Sequence, residues 1–167
     1  MSKIALRIAG VSVASALACG LATSANAQLL AHKDLSLAMA TTIAQVTIDT
    51  CKAQGYNVSV HVLGREGQVI LGLRNELAGA ATMENSMKKA YTARTFRRSS
   101  GEFANGVKGN ATAGALFLTN IVAAQGALPI KVGDDVIGAI GVSGAPGGDK
   151  DEACAKAGID KVADQLK

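Results

Sequence analysis

The glycine-rich tract from Gly126 to Asp149 constrains the fold of this chain more than any other segment. Two short apolar runs, Leu128–Val132 and Val136–Ser143, flank the turn sequence Gly-Asp-Asp, which predicts a β-hairpin. Glycine inside a strand marks a place where another backbone or a ligand approaches closely. Three such glycines recur at every third residue, so they do not all lie on one face of the strand: Gly138, Gly141 and Gly144.

The remaining periodicities predict three helices and a second hairpin. Apolar residues at three- and four-residue spacing predict helices over His32–Ala53 and Thr82–Arg98, and an acidic first turn favours a helix over Asp149–Leu166. Alternation predicts strands over Asn57–Leu63 and Val69–Arg74. In the first strand it places three valines on the face opposite Ser59 and His61. A short helix is possible at residues 102–107, and residues 115–124 are either strand or helix.

The order of these elements is helix, hairpin, helix, loop, hairpin, helix. Adjacent hairpins favour a mainly antiparallel sheet, and the apolar stripes of the helices require a sheet face to pack on. The sequence therefore predicts an α+β fold without internal repeats.

The N-terminus predicts a signal peptide over residues 1–27 and a mature domain over residues 28–167. Lys3 and Arg7 precede the apolar run 8–22, and the Ala-x-Ala pattern that ends at Ala27 is a cleavage site. A spanning helix needs about 20 apolar residues, more than this run contains, so we expect no stable membrane anchor after cleavage. Cys19 permits a lipoprotein, but Ala16 stands where that signal usually has leucine. The mature protein is expected to be periplasmic or secreted.

Charge and cysteine content limit the classes of partner and the covalent links that the chain can be expected to form. The chain has 17 basic and 13 acidic residues, and loss of Lys3 and Arg7 leaves 15 against 13. With five aromatic residues and no basic run between them, nucleic-acid binding is not expected. Cys51 and Cys154 remain after cleavage and form either a disulfide or two buried thiols. Covalent haem attachment is excluded because the sequence contains no C-x-x-C-H.

Several segments together resemble the GlcG/HbpS-like family, also called the haem-degrading domain family. They are Val58-Ser-Val-His-Val62, Gly67, Arg74, Lys89-Ala-Tyr-Thr-Ala93, Gly126-Ala-Leu-Pro-Ile130, Gly133 to Gly144 and Asp151-Glu-Ala-Cys-Ala155. The chain departs from the family pattern at Gly64, where an aspartate is usual, and at Ala127, where a second glycine is usual.

The resemblance implies a profilin-like layered architecture and a homo-oligomer. It also implies a secreted or periplasmic protein that binds haem without a covalent bond and assists haem degradation or haem and redox sensing. The alternative is an enzyme or accessory protein that acts on a small carboxylated metabolite. Catalytic residues are not identified, because no hydrolase elbow, P-loop or H-E-x-x-H motif is present.

A haem reading requires an axial ligand for the iron, for which His, Met, Cys and Tyr are suitable. His32 and His61 are the candidate metal ligands, and Tyr91 either ligates or closes the core. The three mature methionines fit helical core stripes, so we expect them to pack rather than ligate: Met39, Met83 and Met87.

Arg74 and Lys89 are the candidate contacts for an anionic ligand. Arg74 ends a strand, and a guanidinium binds carboxylates through two parallel hydrogen bonds. Its structural alternative is a salt bridge to an acidic residue, for which the candidates are Glu76, Glu84 and Asp151. Lys89 is expected beside the sheet, whereas the other cations of that helix are expected on a solvated face: Lys88, Arg94, Arg97 and Arg98.

Overall fold

The computed structural model describes residues 28–167, of which His32–Lys167 form one compact unit. The predicted signal peptide, residues 1–27, lies outside the described residues. The helices and strands are, in chain order, α1 Leu37–Ala53, β1 Ser59–Leu63, β2 Val69–Arg74, α2 Thr82–Phe96, α3 Ser100–Val107, β3 Ala127–Val132, β4 Asp135–Ser143 and α4 Gly148–Asp160.

The four strands form one antiparallel sheet in the order β2-β1-β4-β3. Both predicted hairpins are present, and the second turns at Gly133 and Asp134 as expected. The α+β prediction with a mainly antiparallel sheet is therefore confirmed. All five residues of β1 are buried, because helices cover both faces of this central strand.

Alternation along β1 divides the sheet into two faces of different character. Val58, Val60 and Val62 belong to the main apolar core, which also contains buried residues of α1 and α4. Ser59 and His61 lie on the opposite face, where each is within hydrogen-bond distance of a hydroxyl of α2. The two faces are thus an apolar one under α1 and α4 and a partly polar one under α2.

The first helix begins later than the sequence analysis predicted. Ser36 is extended, with φ −75° and ψ 155°, and its side chain accepts a hydrogen bond from the Met39 amide, so it caps the helix. Leu35 is buried in the core although it precedes the helix. The placement of His32 at the start of α1 is therefore wrong, since the helix begins five residues later.

Two helix ends and one segment also differ clearly from prediction. α2 ends at Phe96 because Arg97 is left-handed, with φ 55°, and α4 ends at Asp160. The ambiguous run 115–124 is neither strand nor α-helix. It contains part of the 3-10 turn Gly114–Phe117, followed by irregular chain.

A disulfide joins Cys51 of α1 to Cys154 of α4, with the two Cα atoms 5.6 Å apart. It settles the alternative that the sequence left open. The two cysteines are 103 residues apart in the chain, so the bond closes a loop that spans most of the domain. It lies within the apolar core and links the two helices that cover that face of the sheet.

Two glycines of β4 allow other parts of the chain to approach the strand closely, one on each face of the sheet. A Cβ at Gly138 would lie 2.5 Å from the Leu35 side chain. A Cβ at Gly141 would overlap the Ser86 carbonyl and lie 2.6 Å from the Ala90 amide nitrogen, both in the backbone of α2. Gly141 therefore sets how closely α2 lies on the sheet.

We expect Gly141→Ala to reduce the free energy of unfolding by about 1–3 kcal/mol, because the neighbouring atoms are backbone and cannot move independently. Denaturant titration monitored by circular dichroism measures the change. Gly114→Ala is the matched control, since a Cβ there meets nothing within 4 Å, and its effect should stay within about 0.5 kcal/mol. Equal midpoints for the two variants would contradict this account of α2 packing.

Candidate functional site

Lys89 and Asp151 form a buried ion pair that connects α2 to α4. The Lys89 ammonium lies 2.8 Å from Asp151 Oδ2 and donates to the Val142 carbonyl at 3.0 Å, while Asp151 Oδ1 accepts from the Ala145 amide. Burial raises the pKa of the Asp151 carboxyl, and the Lys89 ammonium opposes that rise. Lys89, which the sequence indicated as a ligand contact, thus has a structural role in this arrangement.

His61 lies at the centre of the α2-facing side of the sheet. Its cross-strand partners are Gly72 on β2 and Gly141 on β4, so neither neighbour carries a side chain. The residue is 8% exposed, and burial lowers the pKa of its imidazole. The ring is therefore held in its neutral form, which is the form that binds metals.

The hydrogen bonds around Ser86 determine which imidazole nitrogen of His61 carries the proton. Ser86 Oγ donates to the Met83 carbonyl at 3.0 Å and lies 2.8 Å from His61 Nδ1. Because a hydroxyl has one proton to donate, Ser86 accepts from Nδ1–H, and Nε2 keeps its lone pair. Nε2 points to Gly72, where a Cβ would lie 2.8 Å away. A hydrogen bond that orients the other nitrogen is the usual support of a metal-binding histidine.

Three residues of α2 line its side toward the β1–β2 hairpin: Met83, Met87 and Tyr91. All three are half-buried, and neither methionine is part of the main core or of the partly buried shell around it. A Cβ at Gly67, in the hairpin turn, would lie 2.9 Å from the Tyr91 ring. The opposite side of α2 contacts other elements, since Asn85 donates to Ser143 at 2.9 Å. We call Met83, Met87, Tyr91, Gly72 and Arg74 the α2–β2 surface.

Arg74 stands at the end of β2 opposite Ser59, and is therefore on the α2-facing side of the sheet. Its guanidinium is exposed and donates to the Ala78 carbonyl. The three acids considered as salt-bridge partners are each paired elsewhere, Glu76 with Lys52, Glu84 with Lys88 and Asp151 with Lys89. The charge of Arg74 is thus not neutralised by any of the three.

His32 lies in the exposed segment before α1, with Nε2 3.7 Å from Asp34 Oδ2. It is half-exposed and adjoins Lys33, whose carbonyl accepts from Arg65 at 2.7 Å. The structure thus places His61 and Arg74 on the α2-facing side of the sheet and Tyr91 on α2 against the β1–β2 turn, and leaves His32 and Lys89 in other surroundings. Among the described residues, no group of three or more His, Cys, Asp and Glu side chains is arranged to hold a metal ion.

Three cavities open on the described surface. One of about 330 Å³ is lined by Ala81, Thr82, Glu84, Asn85, Lys88, Val122 and Ser143. A second, of about 560 Å³, lies between α3 and residues 108–123. The residues that line these two include no His, Met, Cys or Tyr. A third, of about 170 Å³, adjoins the α2–β2 surface and is lined by Tyr91, Arg94, Arg65, Glu66, Gly67 and Thr95.

The placement of Arg94 on a solvated helix face is wrong, because the residue is half-buried and its Nε atom is inaccessible to solvent. Its position three residues after Tyr91 and seven after Met87, on one helical stripe, is the signal that could have identified it. Arg65 was missed because it was assigned only to a turn. It forms a fork with Asp135, with Nη2 at 2.6 Å and Nη1 at 3.0 Å from the two carboxylate oxygens.

Comparison with known proteins identifies relatives across most of the chain. The family model described as haem degrading protein HbpS-like matches residues 35–160. An uncharacterized 15.0 kDa protein from the dhaT–dhaS intergenic region of Citrobacter freundii is 36% identical over 115 residues, which cover 66% of this chain and 80% of that protein.

Two solved structures share the fold. The crystal structure of HbpS is 30% identical, covers 81% of this chain and 94% of its own, and superposes with a TM-score of 0.75. The crystal structure of a PduOC–haem complex is 22% identical, covers 75% of this chain and 93% of its own, and has a TM-score of 0.69. At that identity the second structure shows the fold alone.

The lowered pKa of His61 predicts a loss of stability in mild acid. The imidazole protonates near pH 6.5 in the unfolded chain but only at lower pH in the folded one. Its contribution to stability is therefore complete above about pH 6.5 and is lost as the pH falls through the folded pKa. Between pH 7.5 and 5.5 we expect the free energy of unfolding to fall by on the order of 1 kcal/mol.

Denaturant titrations at several pH values test this expectation. His61→Asn keeps a hydrogen-bonding group near the position of Nδ1 but does not titrate, so the slope should flatten. His32→Asn removes the half-exposed histidine and should keep the slope of the unmodified protein. An unchanged slope in His61→Asn would show that another group is responsible.

Proposed function

The chain belongs to the HbpS-like family of haem degrading proteins, and from that membership we propose that it binds haem non-covalently on the α2–β2 surface. One observation carries the choice of surface. His61 lies on the sheet beneath α2, and Met83, Met87 and Tyr91 lie along the side of this helix toward the β1–β2 hairpin; all four are residue types that can ligate haem iron. The lining residues of the two larger cavities offer none of these types.

The residues of this surface fit what haem requires. Among the four, His61 is best prepared, because its Nε2 has a free lone pair and Ser86 orients its ring. The His61 ring occupies the space that a side chain at residue 72 would fill, so the absence of a side chain at Gly72 permits this orientation of the ring. The half-buried methionines and the Tyr91 ring supply an apolar, polarisable surface for a flat ligand.

Bound haem would supply the iron-centred redox chemistry on which haem degradation or redox sensing depends. The chain itself would orient the His61 ring and control its protonation state. Ser86 fixes the His61 tautomer, and burial keeps the ring neutral near pH 7, so that Nε2 does not have to lose a proton before it binds iron.

A small carboxylated metabolite is the second candidate ligand. The observation in its favour is the exposed guanidinium of Arg74. The three acids considered as its salt-bridge partners are each paired with a lysine instead. A guanidinium available in this way binds a carboxylate through two parallel hydrogen bonds. A gain in thermal stability with small acids, abolished in Arg74→Gln, would favour this ligand over haem.

We also propose that the mature protein is periplasmic or secreted and forms a homo-oligomer. The disulfide supports the location, since such bonds persist in oxidising compartments. The family resemblance, which implies an oligomer, supports self-association. In the part of the chain that the structure describes, no helix is long and apolar enough to cross a membrane.

Two measurements on the exported protein test this proposal. Intact mass should correspond to residues 28–167 with one disulfide, and sedimentation velocity should give a species larger than a monomer. An uncleaved chain recovered from the cytoplasm would contradict the location. A monomer at micromolar concentration would contradict the oligomer.

Titration of residues 28–167 with hemin, followed by visible absorbance, tests haem binding. We expect a saturable, shifted Soret band in the unmodified protein. His61→Asn should weaken binding at least about tenfold or alter the band, because it retains the contact near Ser86 but lacks Nε2.

His32→Asn is the control for loss of a histidine away from this surface and should keep the band unchanged. If His61→Asn also leaves the band unchanged, His61 is not the ligand, and Tyr91→Phe becomes the decisive variant. The absence of any saturable change in the unmodified protein would refute haem as the ligand.

A further inference from the structure

We propose that the 170 Å³ cavity beside Tyr91 is a carboxylate-binding site with the guanidinium of Arg94 as its main donor. The cavity lies where α2 crosses the β1–β2 turn, and Arg65, Thr95 and Gly67 also line it. Of the residues indicated by the motifs, only Gly67 and Tyr91 belong to the lining of this cavity.

Arg94 forms no salt bridge with any of the described residues. It is half-buried, and its Nε atom is one of two buried side-chain atoms in the described residues that lack a hydrogen-bond partner. Burial, together with repulsion from Arg97 and Arg65, lowers the pKa of its guanidinium. A buried donor without an acceptor is unfavourable, so an anion that accepts hydrogen bonds from this guanidinium would be stabilised here.

The charges around the cavity leave an excess of positive charge. Arg65 is neutralised by Asp135, which it contacts through both terminal nitrogens. Arg94 and Glu66 then remain in the lining, and the Glu66 carboxylate attracts Arg94 only through a longer-range interaction and forms no salt bridge within residues 28–167. Arg97 does not line the cavity but is close enough to repel Arg94. Two cations against one acid favour binding of a single negative charge.

The size and hydrogen-bonding groups of the cavity define the class of ligand. A volume of about 170 Å³ is too small for a tetrapyrrole but holds a carboxyl group with a short chain. A planar guanidinium matches a carboxylate in shape, and the hydroxyls of Tyr91 and Thr95 are further donors in the lining.

Two sources of this carboxylate have the same chemistry. One is a propionate of haem, which rests on the proposed function, since Tyr91 belongs both to the α2–β2 surface and to the cavity. The other is a small free carboxylic acid. Acetate represents the free acid, and hemin compared with its dimethyl ester isolates the contribution of the propionates.

The first experiment is a titration of residues 28–167 with sodium acetate at constant ionic strength, followed by ¹H–¹⁵N NMR. We expect saturable shifts of the Arg94 Nε signal and of the Gly67 and Thr95 amides. Arg94→Gln should weaken the binding reported by the two amides at least about tenfold, and Glu66→Gln should strengthen it. Lys131→Gln removes an equal charge at an exposed site on β3 and should change nothing.

Equal acetate binding by Arg94→Gln and the unmodified protein would overturn the proposal. So would saturation by inorganic phosphate with no response to acetate, because the site would then not be one for carboxylates. Thermal unfolding of each variant establishes that it is folded before its titration is interpreted.

The second experiment repeats the hemin titration with Arg94→Gln. At least about tenfold weaker binding of hemin, with no change for its dimethyl ester, would identify a propionate as the source. Unchanged hemin binding together with lost acetate binding would identify a free acid. Acetate binding in a protein that does not bind hemin would refute the proposed function while supporting this site.

Discussion

The close contact between α2 and β4 at Gly141 is the constraint on which the rest of the molecule depends. Across the sheet, Gly72, His61, Gly141 and Ala127 stand side by side on the α2-facing side. Only His61 in this row has a large side chain. The helix backbone therefore rests directly on β4, and its rotation about its own axis is determined by that contact. The contact consequently determines which residues of α2 face the sheet, which lie on each flank and which face solvent.

The contact also explains why polar groups are buried beneath α2. With little apolar side-chain volume in the row, hydrogen bonds and an ion pair hold the helix in register: His61 with Ser86, Asn85 with Ser143 and Lys89 with Asp151. Satisfied polar contacts of this kind specify one arrangement, whereas apolar side chains tolerate several. The other face of the sheet is secured differently, by an apolar core and the Cys51–Cys154 disulfide.

The sequence predicted the elements that local patterns encode and missed those that depend on distant residues. Both hairpins followed from alternation and glycine turns, and β2 has the predicted bounds. The start of α1 was misplaced because Leu35 continues the apolar spacing, although the helix begins only after the Ser36 cap. The partner of Lys89 lies 62 residues away, a distance at which periodicity carries no information. The burial of Arg94 likewise depends on a hairpin turn that is remote in sequence.

The two flanks of α2 differ in a way that bears on what each can bind. The flank that includes Asn85 and Lys88 opens on the 330 Å³ cavity, but there Lys88 is paired with Glu84 and no iron ligand lines the cavity. The other flank combines an oriented neutral imidazole with Arg74 at one end and Arg94 at the other. Neither guanidinium is matched by a bound acid. A ligand that engages both the imidazole and the guanidiniums must be polarisable or metal-containing in its middle and anionic at its margin. Haem meets both conditions, whereas a small acid meets only the second. The decisive physical difference between the two proposed ligands is therefore whether Nε2 of His61 gains a partner.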